Sequence, residues 1–213
     1  GKGILRFHAV YFLAFLLSAG LKLPKALFVH DYFTVNGQKM SKTVGNVYNP
    51  APLLDKYGAD PLRYYCLAKI SPFEDGDFSE EKFVEVYNAD LANNLGNLVS
   101  RVAKLCETSF FNLKQESAFK VDSSVSRYLE LYQFNLALAE IWNKIDSLNK
   151  QIDTHKLWEN TQEKHSVLSE IVIGIQEVAY SLKPFLPETA DKIEKQFKDP
   201  RIVLGEPLFP RIK

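Results

Sequence analysis

The rhythm of apolar positions changes along the chain, and each change marks a different kind of element. Residues 4–19 are apolar on nearly every side and end at Gly20, a residue suited to the left-handed position after a helix, so the run predicts a buried helix. After Pro24, Leu27 to Val35 is rich in aromatic and β-branched residues and predicts a strand covered on both faces. Asn36-Gly37 then supplies the positive φ angles of a tight reversal. A helix leading into a buried strand is the grammar of an α/β sheet domain.

From Asn49 the period becomes helical. Asn49-Pro50 and Asp60-Pro61 each pair an N-capping residue with a proline at the first helical position, predicting short helices over 52–57 and 61–70. Ser71 to Asp77 carries Pro72, Gly76 and three acidic residues and predicts a loop, after which Ser79-Glu80-Glu81-Lys82 opens a helix. Leu91, Leu95, Leu98, Val102 and Leu105 step by three and four along one face. So do Val125, Leu129, Tyr132, Leu136, Ala139, Trp142, Ile145 and Leu148, and again Leu168, Ile171, Ile175, Val178, Leu182 and Phe185. Three such stripes bury themselves against one another as a bundle, and the proline-rich end from Gly205 to Pro210 predicts a tail packed back on it. The expected fold is mainly α: the C-terminal edge of a Rossmann-type α/β domain followed by an α-helical bundle.

Composition narrows the partners. Lys+Arg and Asp+Glu both number 26, so a broadly basic, phosphate-binding surface is not expected, though a local basic face is compatible with the balance. Two separated cysteines, Cys66 and Cys106, are too few for a disulfide framework or a thiolate zinc site and read as buried free thiols in a reducing cytosol. The basic start and apolar run imitate a signal peptide, but the chain begins at Gly and His8 interrupts the run. The run is also shorter than the roughly 20 residues that span a bilayer. The expectation is a chain whose front is absent, in a cytoplasmic protein with no membrane partner.

Chemistry concentrates between Gly37 and Asn46. Lys39 and Lys42 flank Ser41 on a loop that leaves a strand through a tight turn, which allows two ammonium groups and a hydroxyl to close on a polyphosphate. A bare Lys-x-Ser-Lys is more often an exposed turn. Elsewhere the residues alone favour structural roles: packing for Phe7, His8 and Tyr11, a surface amide and a solvated charge for Asn97 and Arg101, and core positions for Trp158 and Trp142.

The longer strings add more. Lys39-Met40-Ser41-Lys42-Thr43 resembles the Lys-Met-Ser-Lys-Ser signature of class I aminoacyl-tRNA synthetases, with Gly45-Asn46 continuing the pattern. Gly1-Lys2-Gly3-Ile4 with Phe7-His8, the stretch from Asp75 to Leu98, Pro184 to Ala190, and Pro207 to Ile212 are similar to segments of methionyl-tRNA synthetases, in order and nearly end to end. The resemblance implies a ligase that activates methionine with ATP, bound with Mg2+ as substrate, and charges tRNA(Met). It gives Lys39 and Lys42 the pyrophosphate and Ser41 the matching hydroxyl, with Met40 anchoring the loop and Thr43 closing the signature. It places Phe7, His8 and Tyr11 at the methionine pocket, and Asn97, Arg101 and Trp158 on the anticodon. No metal site, zinc included, is implied for this stretch.

The same resemblance divides the chain into 1–36, the end of the catalytic domain; 37–78, the signature loop with connecting, stem-contacting helices; and 79–213, the anticodon-binding bundle with its tail. Gly3 stands where the family has an aspartate that holds the adenylate, Phe12-Leu13 replaces Trp-Pro, and Leu157 replaces a proline. The family's His-Ile-Gly-His signature is not in these residues, so the chain is expected to be a carboxy-terminal half that does not activate methionine by itself. Two alternatives stay open: a class I synthetase for leucine, valine or isoleucine, and a non-catalytic helical tRNA-binding module.

Overall fold

The computed structural model describes all of residues 1–213 except 42, 44, 112–118, 160–162, 199–200 and 213. Two compact units emerge, one of residues 1–49 and 70–79 and one of residues 50–69 and 80–213.

In the first unit a tight turn at Lys2–Ile4 leads into a wider, π-type helical stretch, Phe7–Phe12, and then into α1 (Leu13–Ser18). Gly20 takes φ +66° and Leu21 N–H returns to Leu16 O, the left-handed ending expected there. The expected burial does not occur. Phe7, Tyr11, Phe15 and Leu17 are all more than half exposed, because the three-stranded sheet found among the described residues does not cover a helix that is apolar on nearly every side.

The long strand expected over 27–35 is also shorter: β1 (Phe33–Val35) is half-buried, and Leu27 and Phe28 remain exposed. It lies at the centre of the order β2-β1-β3, between β2 (Gln38–Lys39) and β3 (Gly76–Phe78). Asn36 and Gly37 have φ 52° and 73°, the two positive angles of a two-residue hairpin, and set the antiparallel pairs Thr34 with Lys39 and Val35 with Gln38. β3 runs parallel to β1 in the register Phe33–Gly76, Thr34–Asp77, Val35–Phe78. The segment read as a loop thus contains a strand. Gly76 belongs there because a Cβ would come within 2.2 Å of Ile70 Cγ2.

The second unit is helical: α2 (Ala51–Tyr57), α3 (Ala59–Ala68), α4 (Glu80–Val86), α5 (Asn97–Thr108), α6 (Ser123–Glu130), α7 (Phe134–Thr154), α8 (Lys164–Leu182) and α9 (Pro187–Lys198). A π-type stretch, Tyr87–Gly96, joins α4 to α5. The first and third predicted stripes and the ends of the second enter its core, with Leu91, Leu95, Leu98, Ile145, Leu168 and Ile171 at most 1% exposed. Tyr132, Leu136 and Ala139 of the second stripe are exposed, and Ala137, Leu138 and Ile141 are buried in their place. Trp142 is buried as expected and stacks on Tyr64 at 4.4 Å.

Three details depart from the sequence reading. Tyr132 takes φ +58° and divides the second stripe into α6 and α7. α9 was not anticipated. Asp60 does not cap α3, which starts after Gly58. Its Oδ2 accepts the Thr189 N–H at 2.7 Å, so it caps α9 from a distance. The tail does pack back: Phe209 is buried edge-on against Tyr87, and Asn88 and Ile212 exchange two hydrogen bonds. Cys106 is buried and its thiol is pushed up to about 12 by that burial, while Cys66 is half-buried and raised for the same reason. No helix among the described residues is long and apolar enough to cross a membrane.

Candidate functional site

The signature loop hangs from the β1–β2 hairpin, whose turn is tied to β3. Asp77 Oδ1 accepts from Gly37 N–H at 2.6 Å and from the Thr34 hydroxyl at 2.7 Å. Beyond the hairpin the loop closes on Asn46. Its side-chain oxygen accepts the Ser41 N–H at 2.8 Å, and its side-chain nitrogen donates to Lys39 O at 3.0 Å. Gly45 N–H returns to Ser41 O, and Thr43 N–H donates to the Ser41 hydroxyl. The backbone on both sides of Met40 is therefore fixed by one amide. Met40 and Ser41 are half-buried, while Lys39 and Thr43 are exposed. Lys39 Nζ rests 4.8 Å from the centre of the Tyr32 ring. Lys42 lies outside the described residues.

Around Lys39 the charges are organised. Lys2 Nζ binds Asp31 at 3.0 Å and Asp75 at 2.8 Å, and Asp75 also accepts the Tyr32 N–H at 3.0 Å. The Lys2 hydrogen bond and then the Tyr32 N–H hold the Asp75 carboxyl below the usual carboxylate range. Phe7, His8 and Tyr11 come together: Phe7 meets His8 edge-on at 5.4 Å and Tyr11 at 6.2 Å. His8 Nδ1 lies 3.1 Å from Ile4 O. All three are exposed, so none is the core residue that their chemistry alone suggested.

In the helical unit Asn97 opens α5 after the wider π-type turn, a feature common at functional positions in helices, and is exposed. Arg101, one turn on, donates to Asp153 near the end of α7 at 2.6 Å. At that end Lys156 takes φ +45° and Leu157 N–H returns to Ile152 O at 3.2 Å. Leu157 is completely buried and presents Trp158 outward, 57% exposed. That exposure removes the core role which the residue type favoured.

Arg101 and Trp158 line one cavity of about 370 Å³ together with Lys104, Leu105, Ile152 and Leu204. Asn97 lines a neighbouring one of about 400 Å³ with Asn93, Ser100, Pro207 and Phe209, and Ser100 is common to both. Nothing in the sequence marks Leu204, which only the folded tail brings to α5, whereas Pro207 lies in the proline-rich end expected to pack back on the bundle. Lys104 was legible as the next basic residue on the Asn97–Arg101 face.

Among the described residues, no group of three or more His, Cys, Asp or Glu side chains could hold a metal ion. This geometry can steady one ammonium and a hydroxyl beside an anionic substrate, and offers a guanidinium beside an exposed indole to a planar base.

Comparison with known proteins points the same way. A family model described as "tRNA synthetases class I (M)" matches residues 1–103. The methionine–tRNA ligase of Nostoc sp. is 40% identical over 215 residues, covering 92% of this chain and 41% of the relative. That of Clostridium acetobutylicum is 35% identical, covering all of this chain and 38% of the relative. The methionyl-tRNA synthetase of Mycobacterium tuberculosis bound by methionyl-adenylate superposes with a TM-score of 0.84 at 28% identity, over 99% of this chain and 49% of that one. Its apo form gives 0.81 at 27% identity, over 100% and 49%. The chain thus spans about two-fifths of the length of the relatives it matches.

Proposed function

Because the chain belongs to the class I tRNA synthetases of the methionine type, we propose that it serves as part of a ligase that converts methionine and ATP to methionyl adenylate and passes the acyl group to tRNA(Met). In the first step the methionine carboxylate attacks the α-phosphorus of ATP, and the bond to pyrophosphate breaks. The leaving pyrophosphate gains negative charge, and a nearby ammonium lowers the barrier by meeting that charge as it develops. Lys39 and Lys42 have that role, with Ser41 donating a hydroxyl hydrogen bond. Met40 and Thr43 complete the loop that delivers them, and ATP arrives with its Mg2+ as substrate. Phe7, His8 and Tyr11 form part of the methionine pocket.

Asn97, Arg101 and Trp158 read the anticodon. One observation carries this half of the reading: Arg101 and Trp158, far apart in sequence, line the same cavity, and the tryptophan is turned outward. An indole exposed beside a guanidinium suits a stacked, hydrogen-bonded base. Such chemistry belongs in the cytoplasm, where charged tRNA is used.

Exchange of labelled pyrophosphate into ATP tests the proposal, with methionine, leucine, valine and isoleucine offered in turn. The full-length protein is expected to exchange with methionine alone. The 213-residue chain by itself is expected to show no exchange, because it lacks the His-Ile-Gly-His signature that the family uses on ATP. Exchange with another of these amino acids would overturn the methionine assignment, and exchange by the isolated chain would overturn its dependence on that signature.

A further inference from the structure

Tyr32 is engaged at its ring face and at its hydroxyl. The Lys39 ammonium sits against its ring face, 4.8 Å from the ring centre. Its hydroxyl projects over Gly3, so closely that a Cβ on residue 3 would stand 1.8 Å from Oη and 3.1 Å from Cζ. No side chain at residue 3 is compatible with the tyrosine in this position. The departure of Gly3 from the family's aspartate is thereby matched by the residue that fills the space.

The ring suits a lysine that must be both held and released. A lysine carries a long flexible stem, and fixing its ammonium before substrate arrives removes part of the ordering cost from the reaction itself. A carboxylate would hold the ammonium too, but would compete with the incoming phosphates for it. An aromatic face attracts the cation more weakly and contributes no opposing full charge. The neighbouring cation, Lys2, also lies over this ring at 5.5 Å from its centre, farther than Lys39, and is held there by Asp31 and Asp75.

We propose that Tyr32 is a positioning residue for Lys39: its ring holds the ammonium on the hairpin side of the signature loop, and Gly3 is the space that the tyrosine needs. The proposal rests on the reading of Lys39 as a pyrophosphate-stabilising lysine.

Two measurements on the full-length protein test it. In pyrophosphate exchange, Tyr32→Leu is expected to lower kcat about tenfold with the KM for methionine unchanged, since a transition-state interaction is lost. Tyr32→Phe keeps the ring and stays near the parent rate, whereas Gly3→Ala, which displaces the ring, behaves like Tyr32→Leu. Equal rates for the Leu variant and the parent, or equal losses for Phe and Leu, would overturn the proposal. The NMR signal of the Lys39 ε-methylene is the second readout and needs no activity. An upfield ring-current displacement is expected in the parent and in Tyr32→Phe and is lost in Tyr32→Leu. Absence of that displacement in the parent overturns the contact, while its presence in a protein that exchanges with no amino acid overturns the ligase reading instead.

Discussion

Asn46 shows how one side chain can set the shape of the loop proposed to act on ATP. Its amide accepts from Ser41 N–H and donates to Lys39 O, so the two backbone groups that flank Met40 are held together. A net hydrogen bond contributes about 1 kcal/mol, and Asn46→Ala removes two. We expect that variant to lower kcat of pyrophosphate exchange in the full-length protein about tenfold or more, with the KM for methionine little changed. Asn46→Asp keeps the acceptor for Ser41 but loses the donor to Lys39, and is expected to fall between. Parent-like kinetics of Asn46→Ala would show that the loop is ordered by something else. The sequence marks Gly45-Asn46 as part of a pattern, but not the use of the amide, which depends on the loop turning back on itself. Asp60 is a parallel case: a good local capping residue is taken by the distant N-terminus of α9, and no local rule registers that choice.

Elements were legible where their information was local. The stripes that become α5, α7 and α8 repeat within each helix, so their period alone identifies them. β3 was hidden because three residues, Gly76, Asp77 and Phe78, have no strand signature, and their partner β1 lies about forty residues earlier. The break at Tyr132 was hidden because the apolar letters continue in phase across it, whereas the buried face of α7 begins at Ala137, Leu138 and Ile141 and leaves Tyr132, Leu136 and Ala139 exposed. Helix ends follow one scheme here: at Phe110, Tyr132 and Lys156 a residue with positive φ is followed by an N–H that reaches back five residues, to Cys106, Tyr128 and Ile152. Phe110 occupies such a position at φ 51° while 87% exposed, so it bears backbone strain with little burial to offset it. Phe110→Gly is expected to stabilise this chain by about 1 kcal/mol, seen as a higher midpoint in urea with unchanged slope. A lower midpoint would mean that the phenyl ring makes a contact worth more than the strain. At Gly174 the sign reverses, because a Cβ would stand 2.6 Å from Leu148 Cδ2 and 3.2 Å from Cδ1 where α7 meets α8. Leu148 is 5% exposed and has little room to move, so Gly174→Ala is expected to cost about 1–3 kcal/mol in the same titration.

At the scale of the molecule, the proposed RNA binding by a chain with equal numbers of acidic and basic residues would rest on selection of contacts more than on bulk attraction. The two residues at the shared cavity make this separable. Trp158 offers stacking and no charge, so Trp158→Ala is expected to weaken binding of a tRNA with a CAU anticodon by about 1–3 kcal/mol without altering the dependence of log K on log salt. Arg101 carries a charge, but Asp153 already partners it at 2.6 Å, and the charge is partly compensated before RNA arrives. If Arg101 works by its planar fork on a base, Arg101→Ala will weaken CAU binding and reduce discrimination against a scrambled anticodon, again with little change in salt slope. If it works on a phosphate, binding will weaken equally for both anticodons and the slope will fall by about one unit. The exposed indole and the paired guanidinium in one cavity favour the first outcome. Titrations of the full-length protein at several salt concentrations, with both variants and both tRNAs, decide between them. Slopes that fall alike in both variants would remove the distinction between stacking and charge, and with it the assignment of this cavity to a base.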